Sequence, residues 1–234
     1  MSKNVIISGA SKGIGKAITF AFARQGCKLF LGARNLNDLH TTKQEIISTF
    51  PDASVFIKEV DFSQKSSIEI FVKEAQVLMP EVNVIVNNVG QYIEDTAADY
   101  QPEKLDNMMR VNFYAAYHLT NPLLSKMRAR KQGHLFNILS IASLDLVKKA
   151  SSYSISKYAL YGWHKLLKEE LRSHMIKVTG IFPGPTISDS WKNESIDEKK
   201  FIKAEEIAEV VIQAFNMPYN VNMEDIVIRP LTTH

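Results

Sequence analysis

The feature that most restricts how this chain can fold lies at its start. A short apolar strand pattern over residues 5–8 runs directly into Gly9-Ala10-Ser11-Lys12-Gly13-Ile14-Gly15, and a helical apolar pattern follows at once. Glycines at such a junction permit a tight turn. The helix then offers its unpaired N–H groups and the positive end of its dipole to whatever sits over the turn. In that context the spacing G-x-x-x-G-x-G reads as a phosphate-binding turn, although it differs from the G-x-G-x-x-G dinucleotide fingerprint.

The strand-to-helix alternation continues along the chain. Apolar runs bounded by Gly, Asn, Asp or charged residues predict strands over 5–8, 28–33, 54–59, 82–86, 134–139, 177–182 and 225–229. Apolar residues at three- and four-residue spacing predict helices over 13–25, 36–50, 64–79, 102–130, 152–173 and 204–215; Ala17, Phe20, Ala21 and Ala23 illustrate the first. An irregular stretch is expected over 183–200. The order predicts an α/β fold, one doubly wound seven-stranded parallel sheet with helices on both faces and a single domain over 1–234. Ligands then bind beyond the carboxyl ends of the strands.

Composition narrows the function classes. The 234 residues are 45% hydrophobic and 23% charged, ordinary for a globular protein, and a formal charge of +3 without a concentrated basic stripe gives no reason to expect nucleic acid. Cys27 is the only cysteine, so neither an intrachain disulfide nor a cysteine-built metal site is possible. His40, His118, His134, His164, His174 and His234 show no metal-ligand spacing; no metal is expected, and the histidines are expected at the surface or half-buried. No apolar run approaches about 18 residues, and the first strand pattern leaves no room for a signal peptide. A soluble cytoplasmic protein without a membrane partner is expected. Ser8 and Ser140 lack the G-x-S-x-G elbow of a hydrolase.

The chemistry is suggested by Tyr153 and Lys157, four residues apart on a predicted helix and therefore on one face, with Ser140 thirteen residues upstream. A free phenol, with a pKa of about 10, is a poor acid–base group near neutrality, and a neighbouring ammonium is expected to bring it down toward the working range. Taken singly, each residue reads as an ordinary polar side chain. The ordered set is what raises them to catalytic candidates.

With these residues in place the chain resembles the short-chain dehydrogenase/reductase family in its compact single-domain, Rossmann-like form. The resemblance runs through Gly9-x-x-x-Gly13-x-Gly15, Asp61, Asn87-Asn88-Val89-Gly90, Asn112, Ser140, Tyr153, Lys157 and Pro183-Gly184. Val89 departs from the family's commoner alanine and Thr186 from its commoner aliphatic residue. The resemblance implies carbonyl/alcohol oxidoreduction with a nicotinamide cofactor. In that chemistry Tyr153 gives its proton to the substrate oxygen and Ser140 stabilises the charge developing there. Lys157 lowers the Tyr153 pKa and holds the nicotinamide ribose, while Asn112 holds a water that links Lys157 to solvent.

The implied cofactor contacts are Gly9, Ser11, Lys12, Gly13, Ile14, Gly15, Arg34, Asp61, Phe62, Asn87, Gly90, Tyr153, Lys157, Pro183, Gly184, Thr186 and Ser188. Asp61 and Phe62 are expected to flank the adenine, and Asn87 to border the adenosine ribose. Charge argues for NADP(H) over NAD(H). The second strand ends Gly32-Ala33-Arg34, with no carboxylate to repel a 2′-phosphate, and Arg34 and Lys12 are in a position to attract one.

The substrate is expected against Ser140, Ser143, Leu144, Asp145, Tyr153 and Trp191, and the short polar segment carrying Trp191 suits a small carbonyl compound or its alcohol. Lys148 and Lys149 are either contacts for an anionic substrate or a solvated face. The alternative is a 3-oxoacyl-[acyl-carrier-protein] reductase docking an acidic carrier on Arg128, Arg130, Lys131, Lys168 and Arg172. From another class, a non-catalytic NADP(H)-sensing protein needs the turn but not the Asn-Ser-Tyr-Lys set. An extended nucleotide-sugar epimerase needs a larger C-terminal region. A homodimer or homotetramer is expected through the helices beginning near Pro102 and Ser152, where Phe113-Tyr114-Ala115-Ala116-Tyr117 suits burial on two sides, with the last strand at a second interface.

Overall fold

Successive side chains of a strand point to opposite faces, and this chain fills both faces with apolar residues. Val5 and Ile7 pack into one core layer and Ile6 into the other; Leu29 and Leu31 oppose Phe30, and Val84 and Val86 oppose Ile85, in the same way. A strand buried on both faces needs helices on both, and the computed structural model supplies them. It describes residues 2–98, 101–187, 197 and 200–232. Ser188, Trp191 and His234 lie outside the described residues.

Seven strands form one sheet in the order β3-β2-β1-β4-β5-β6-β7, every pairing parallel: β1 (Asn4–Ser8), β2 (Lys28–Ala33), β3 (Val55–Glu59), β4 (Val84–Asn87), β5 (Gly133–Ile138), β6 (Ile176–Pro183) and β7 (Asp225–Ile228). The helices are α1 (Gly13–Arg24), α2 (Leu36–Thr49), α3 (Lys65–Leu78), α4 (Pro102–Met109), α5 (Ala115–Arg130), α6 (Ser151–Arg172) and α7 (Ala204–Asn216). Residues of α1, α2 and α7 line one layer, with Phe22 between Phe136 and Phe215; residues of α3, α5 and α6 line the other, where Phe71 stacks on Phe30.

Element boundaries differ from expectation by one or two residues, as helix and strand ends usually do. The helix expected over 102–130 differs more. It is α4 and α5 joined by a π-helical turn, Arg110–Tyr114, and that turn carries the buried Asn112. An α-helical periodicity in the sequence does not register one wider turn.

Two histidines expected at or near the surface are buried. His134 lies against Thr179, and burial, with the Lys177 charge, takes its pKa down to about 3. His164 Nε2 meets Asp225 Oδ1 at 2.9 Å and its Nδ1 meets Asn137 at 3.0 Å. Polar partners make a buried imidazole tolerable. Space for it comes from Gly180 in β6, where a Cβ would stand 2.9 Å from His164 Nε2. Among the described residues there is no helix long and apolar enough to cross a membrane and no cluster of three metal-ligating side chains.

Candidate active site

The sheet order turns about β1, which pairs with β2 on one side and β4 on the other. Loops leaving the ends of β1 and β4 therefore diverge, and a crevice opens at the carboxyl edge, the usual ligand position in open α/β sheets. The glycine turn lines it. Gly9 and Gly13 have φ of +67° and +51°, and a Cβ on Gly15 would stand 2.1 Å from the Gly9 carbonyl oxygen, so the turn closes only with glycine there. Asn88 braces it from β4: Asn88 Nδ2 donates to the Ser8 and Gly9 carbonyls, and the Asn88 and Val89 N–H groups donate to Ser8 Oγ.

Helix α1 has no acidic residue in its first turn and no side-chain cap, so its leading N–H groups are left for an anion. Ser11 and Lys12 precede it and Ile14 sits half-buried within it. Beside the turn is a cavity of about 260 Å³ lined by Ser11, Lys12, Lys16, Asp38, Thr41 and Thr42. Arg34 is exposed just past the end of β2. Lys12 makes an ion pair with Asp38 at 2.9 Å, so the expected phosphate ligand already has a carboxylate partner. Unpaired helix N–H groups, the steric demand for glycine and a cationic rim together fit a phosphorylated nucleotide.

Several expected cofactor contacts have side-chain partners within the chain. The Phe62 ring is buried edge-on to Phe71 in the second core layer. Asp61 Oδ1 accepts from the Ser63 N–H and hydroxyl. The Asn87 amide is turned into the sheet, donating to Thr120 Oγ1 at 2.9 Å and Asn137 Oδ1 at 2.8 Å; its own Oδ1 is buried without a protein partner. Pro183 ends β6, the Gly184 N–H donates to the Ile228 carbonyl, and the Thr186 hydroxyl donates to Gly184 O.

The candidate catalytic set converges from three elements. Ser140 follows β5 and opens a short 3₁₀ turn, Ile141–Ser143; its Oγ accepts from the Ala142 N–H at 3.1 Å and lies near enough to the Tyr153 phenol of α6 to draw its pKa down. Lys157, one turn further on, is buried and donates to the Ile138 carbonyl at 2.9 Å, with Nζ 5.9 Å from the centre of the Tyr153 ring. A Cβ on Gly90 would lie 3.4 Å from Asn112 Oδ1 and 3.5 Å from Lys157 Nζ, so both polar groups border the loop after β4.

Asn112 accepts from the Gln91 N–H at 2.8 Å and donates to Gln91 O at 3.0 Å and Ser156 Oγ at 2.8 Å. Its side-chain amide is thus engaged by Gln91 and Ser156.

The expected electrostatics are reversed for the phenol. Burial, the largest influence, and neighbouring Tyr92 push the Tyr153 pKa up, against the hydrogen bond from Ser140. Burial also depresses the Lys157 pKa to about 8. Desolvation disfavours both charged forms and outweighs the attraction inferred from helical spacing alone.

Around this set run groups the sequence did not single out. Between β4 and α4 the chain is pinned at Gln91 by Asn112. It is pinned again at buried Asp95, whose carboxylate accepts from the Ser152 N–H at 3.0 Å and from the Ser152 hydroxyl. Tyr92, between the two anchors, stands edge-on to Tyr153 with ring centroids 5.2 Å apart. Only spatial proximity marks Asp95 and Tyr92; their sequence surroundings carry no motif.

Of the expected substrate contacts, Ser143 is fully buried in the 3₁₀ turn, its Oγ without a protein partner. Leu144 is half-buried and receives the Tyr158 hydroxyl on its carbonyl. Exposed Asp145 pairs with Arg229 at 2.6 Å.

The model of the short chain dehydrogenase family matches residues 3–199. An uncharacterized oxidoreductase of Staphylococcus aureus is 29% identical over 229 residues, 98% of this chain and 97% of that protein. An alcohol dehydrogenase from the archaeon Thermococcus sibiricus, complexed with 5-hydroxy-NADP, superposes with a TM-score of 0.91 at 26% identity, covering 100% of this chain and 99% of that one. A metagenomic short-chain oxidoreductase in complex with NADP gives 0.85 at 26% identity, over 99% and 98%. Sheet order, glycine turn and family match thus coincide along most of the sequence, and the chain belongs to the short-chain dehydrogenase family and is an oxidoreductase.

Proposed function

We propose that the protein is an NADP(H)-dependent reductase of a small carbonyl compound, able to run the reverse oxidation of the alcohol. The observation that carries this reading is the meeting of the Ser140 hydroxyl, the Tyr153 phenol and the Lys157 ammonium at the carboxyl edge of the sheet, next to a glycine turn that leaves helix N–H groups for a phosphate. The cofactor, when bound, supplies or accepts the hydride. Tyr153, kept protonated at neutral pH by burial, is ready to donate its proton to the substrate oxygen, the state that reduction requires. Ser140 donates a hydrogen bond to the same oxygen as charge builds on it. Lys157, fixed on the Ile138 carbonyl, keeps further N–H donors for ribose hydroxyls, and its positive charge stabilises the phenolate left after proton transfer.

NADP(H) over NAD(H) is supported by exposed Arg34 and Lys12 and by the absence of a carboxylate at Ala33. Two similar solved structures carry an NADP compound. The carrier-protein reading gains no such support. Lys168 is paired with Glu224 and Asp225, Arg172 with Glu169 and Glu224, and Arg128 faces Glu170, so that basic surface is largely balanced within the chain.

A homodimer or homotetramer is part of the same reading. Tyr114, Tyr117, Ile155, Tyr158 and Leu166 are exposed on or beside α5 and α6, and sizing chromatography at the monomer mass would refute it.

The test is titration of the purified protein with NADPH and NADH, followed by their oxidation against aldehydes, diketones, 3-oxo esters and 3-oxoacyl thioesters. NADPH-linked turnover of small carbonyls is expected. Turnover confined to the thioesters would move the assignment to the carrier reading, and tight NADPH binding with no turnover would favour a sensor.

A further inference from the structure

The reaction described above leaves Tyr92 unused. The residue is 53% exposed, yet its ring stands edge-on to the Tyr153 ring at 5.2 Å and an interplanar angle of 68°. A half-exposed aromatic is usually free to turn away, and two features hold this one. Asn112 takes both main-chain groups of Gln91, the residue immediately before it. Asp95, three residues on, is tied to the start of α6 by its N–H to the Lys149 carbonyl and by its carboxylate to Ser152. Tyr92 is therefore carried on a short strap whose anchors belong to the scaffold that positions Tyr153.

A carbonyl oxygen that reaches the Tyr153 hydroxyl and Ser140 brings the substituents of its carbon within reach of whatever borders that phenol. On one side this is the Tyr92 ring. The edge-to-face contact with Tyr153 uses part of that ring and leaves the rest to solvent. An aromatic surface of this kind favours a flat π-system over a tetrahedrally branched carbon, because the flat group makes close contact over its whole area. Burial and the charges of Glu94 and Asp95 push the Tyr92 pKa up, so the group is a neutral wall rather than a second acid–base residue.

We infer that Tyr92 is a specificity-determining residue that forms one wall of the substrate site beside the Tyr153 phenol and selects carbonyl compounds bearing a planar, unsaturated substituent over those bearing a branched alkyl one. The inference rests on the carbonyl-reductase reading.

Benzaldehyde and pivalaldehyde, planar and branched on the same small carbonyl, are the probes, with NADPH and the full chain. In Tyr92→Ala the KM for benzaldehyde rises about three- to tenfold, kcat changes little, and the KM for pivalaldehyde stays level or falls. Tyr92→Phe, which keeps the ring, retains the wild-type preference. The dissociation constant of benzyl alcohol for the NADPH-loaded protein, read by nicotinamide fluorescence, rises in Tyr92→Ala by the same factor, and that for NADPH alone does not move. A Tyr92→Ala variant that shifts both aldehydes equally, or neither, overturns the inference and leaves the reductase reading standing. Wild-type protein that turns over no carbonyl with NADPH removes the reductase reading and the inference with it.

Discussion

Replacing Asp95 by alanine should loosen the catalytic helix from outside it. Helix α6 begins after Ala150, which supplies no side-chain cap, and the acceptor for its leading Ser152 N–H comes instead from Asp95, 57 residues earlier in the chain. The carboxylate also accepts from the Ser152 hydroxyl. Hydrogen bonds to a charged group contribute about 1.5–3 kcal/mol, and a negative charge at a helix N-terminus about 0.3–1 kcal/mol. The loss should therefore be about 2–4 kcal/mol. At about 2–4 °C per kcal/mol for a chain of this size, the melting temperature falls by about 4–16 °C.

Ser152 immediately precedes Tyr153, so fraying of this turn also removes the phenol from Ser140 for part of the time. kcat should fall about three- to tenfold, equivalent to roughly 0.7–1.4 kcal/mol of barrier, with NADPH binding unchanged. Asp95→Asn, which keeps an acceptor oxygen without the charge, should lie between.

The sign with pH follows from the carboxyl group. Burial pushes its pKa up, and the Ser152 hydroxyl and N–H, the Ser151 N–H and the Lys104 charge together bring it below the ordinary value. Its stabilisation is complete above the unfolded value of about 3.9 and is lost as pH falls through the lower folded value. Wild type and Asp95→Ala should thus converge in acid. A melting temperature within about 1 °C of wild type at neutral pH, with unchanged kcat, would show that Asp95 does not hold α6.

Tyr153→Phe should lower kcat for carbonyl reduction by about 10²–10⁴ with NADPH affinity intact, and retention of most turnover would remove Tyr153 as the acid. Arg34→Asp should weaken NADPH about 10- to 100-fold and NADH far less; equal losses in fluorescence titrations would mean that a 2′-phosphate is held elsewhere. Lys157, with a pKa of about 8, carries its charge below that pH and loses it above. kcat/KM for reduction should fall as pH rises through this region, and Lys157→Arg, permanently charged, should abolish the limb; a limb at the same pH in both proteins would assign it to another group.

The order of strands and helices was readable from residue spacing because it is set locally. A strand buried on both faces must be apolar at consecutive positions, as Val5-Ile6-Ile7 is, and a turn closing on a 2.1 Å approach admits only glycine at Gly15. The juxtaposition of Tyr153 and Lys157 follows from one helical turn and was equally legible. Asn112 was found through its place in an ordered set, whereas the π turn that carries it inward was not, since one wider turn leaves no periodic mark.

What the sequence by itself determined was therefore the parallel α/β plan, the glycine turn and the residue types at the site. The tertiary structure decided which of them face the crevice and what charge they hold. Phe62 went into the interior, because core packing claimed it; Ser143 is buried in the 3₁₀ turn; Asn87 turned to Thr120 and Asn137; and Tyr92 and Asp95 arrived beside Tyr153 and Ser152 from a distant loop. The Tyr153 pKa moved up where helical spacing alone implied down, because desolvation depends on everything packed around a group and a pair spacing along one helix contains none of that information.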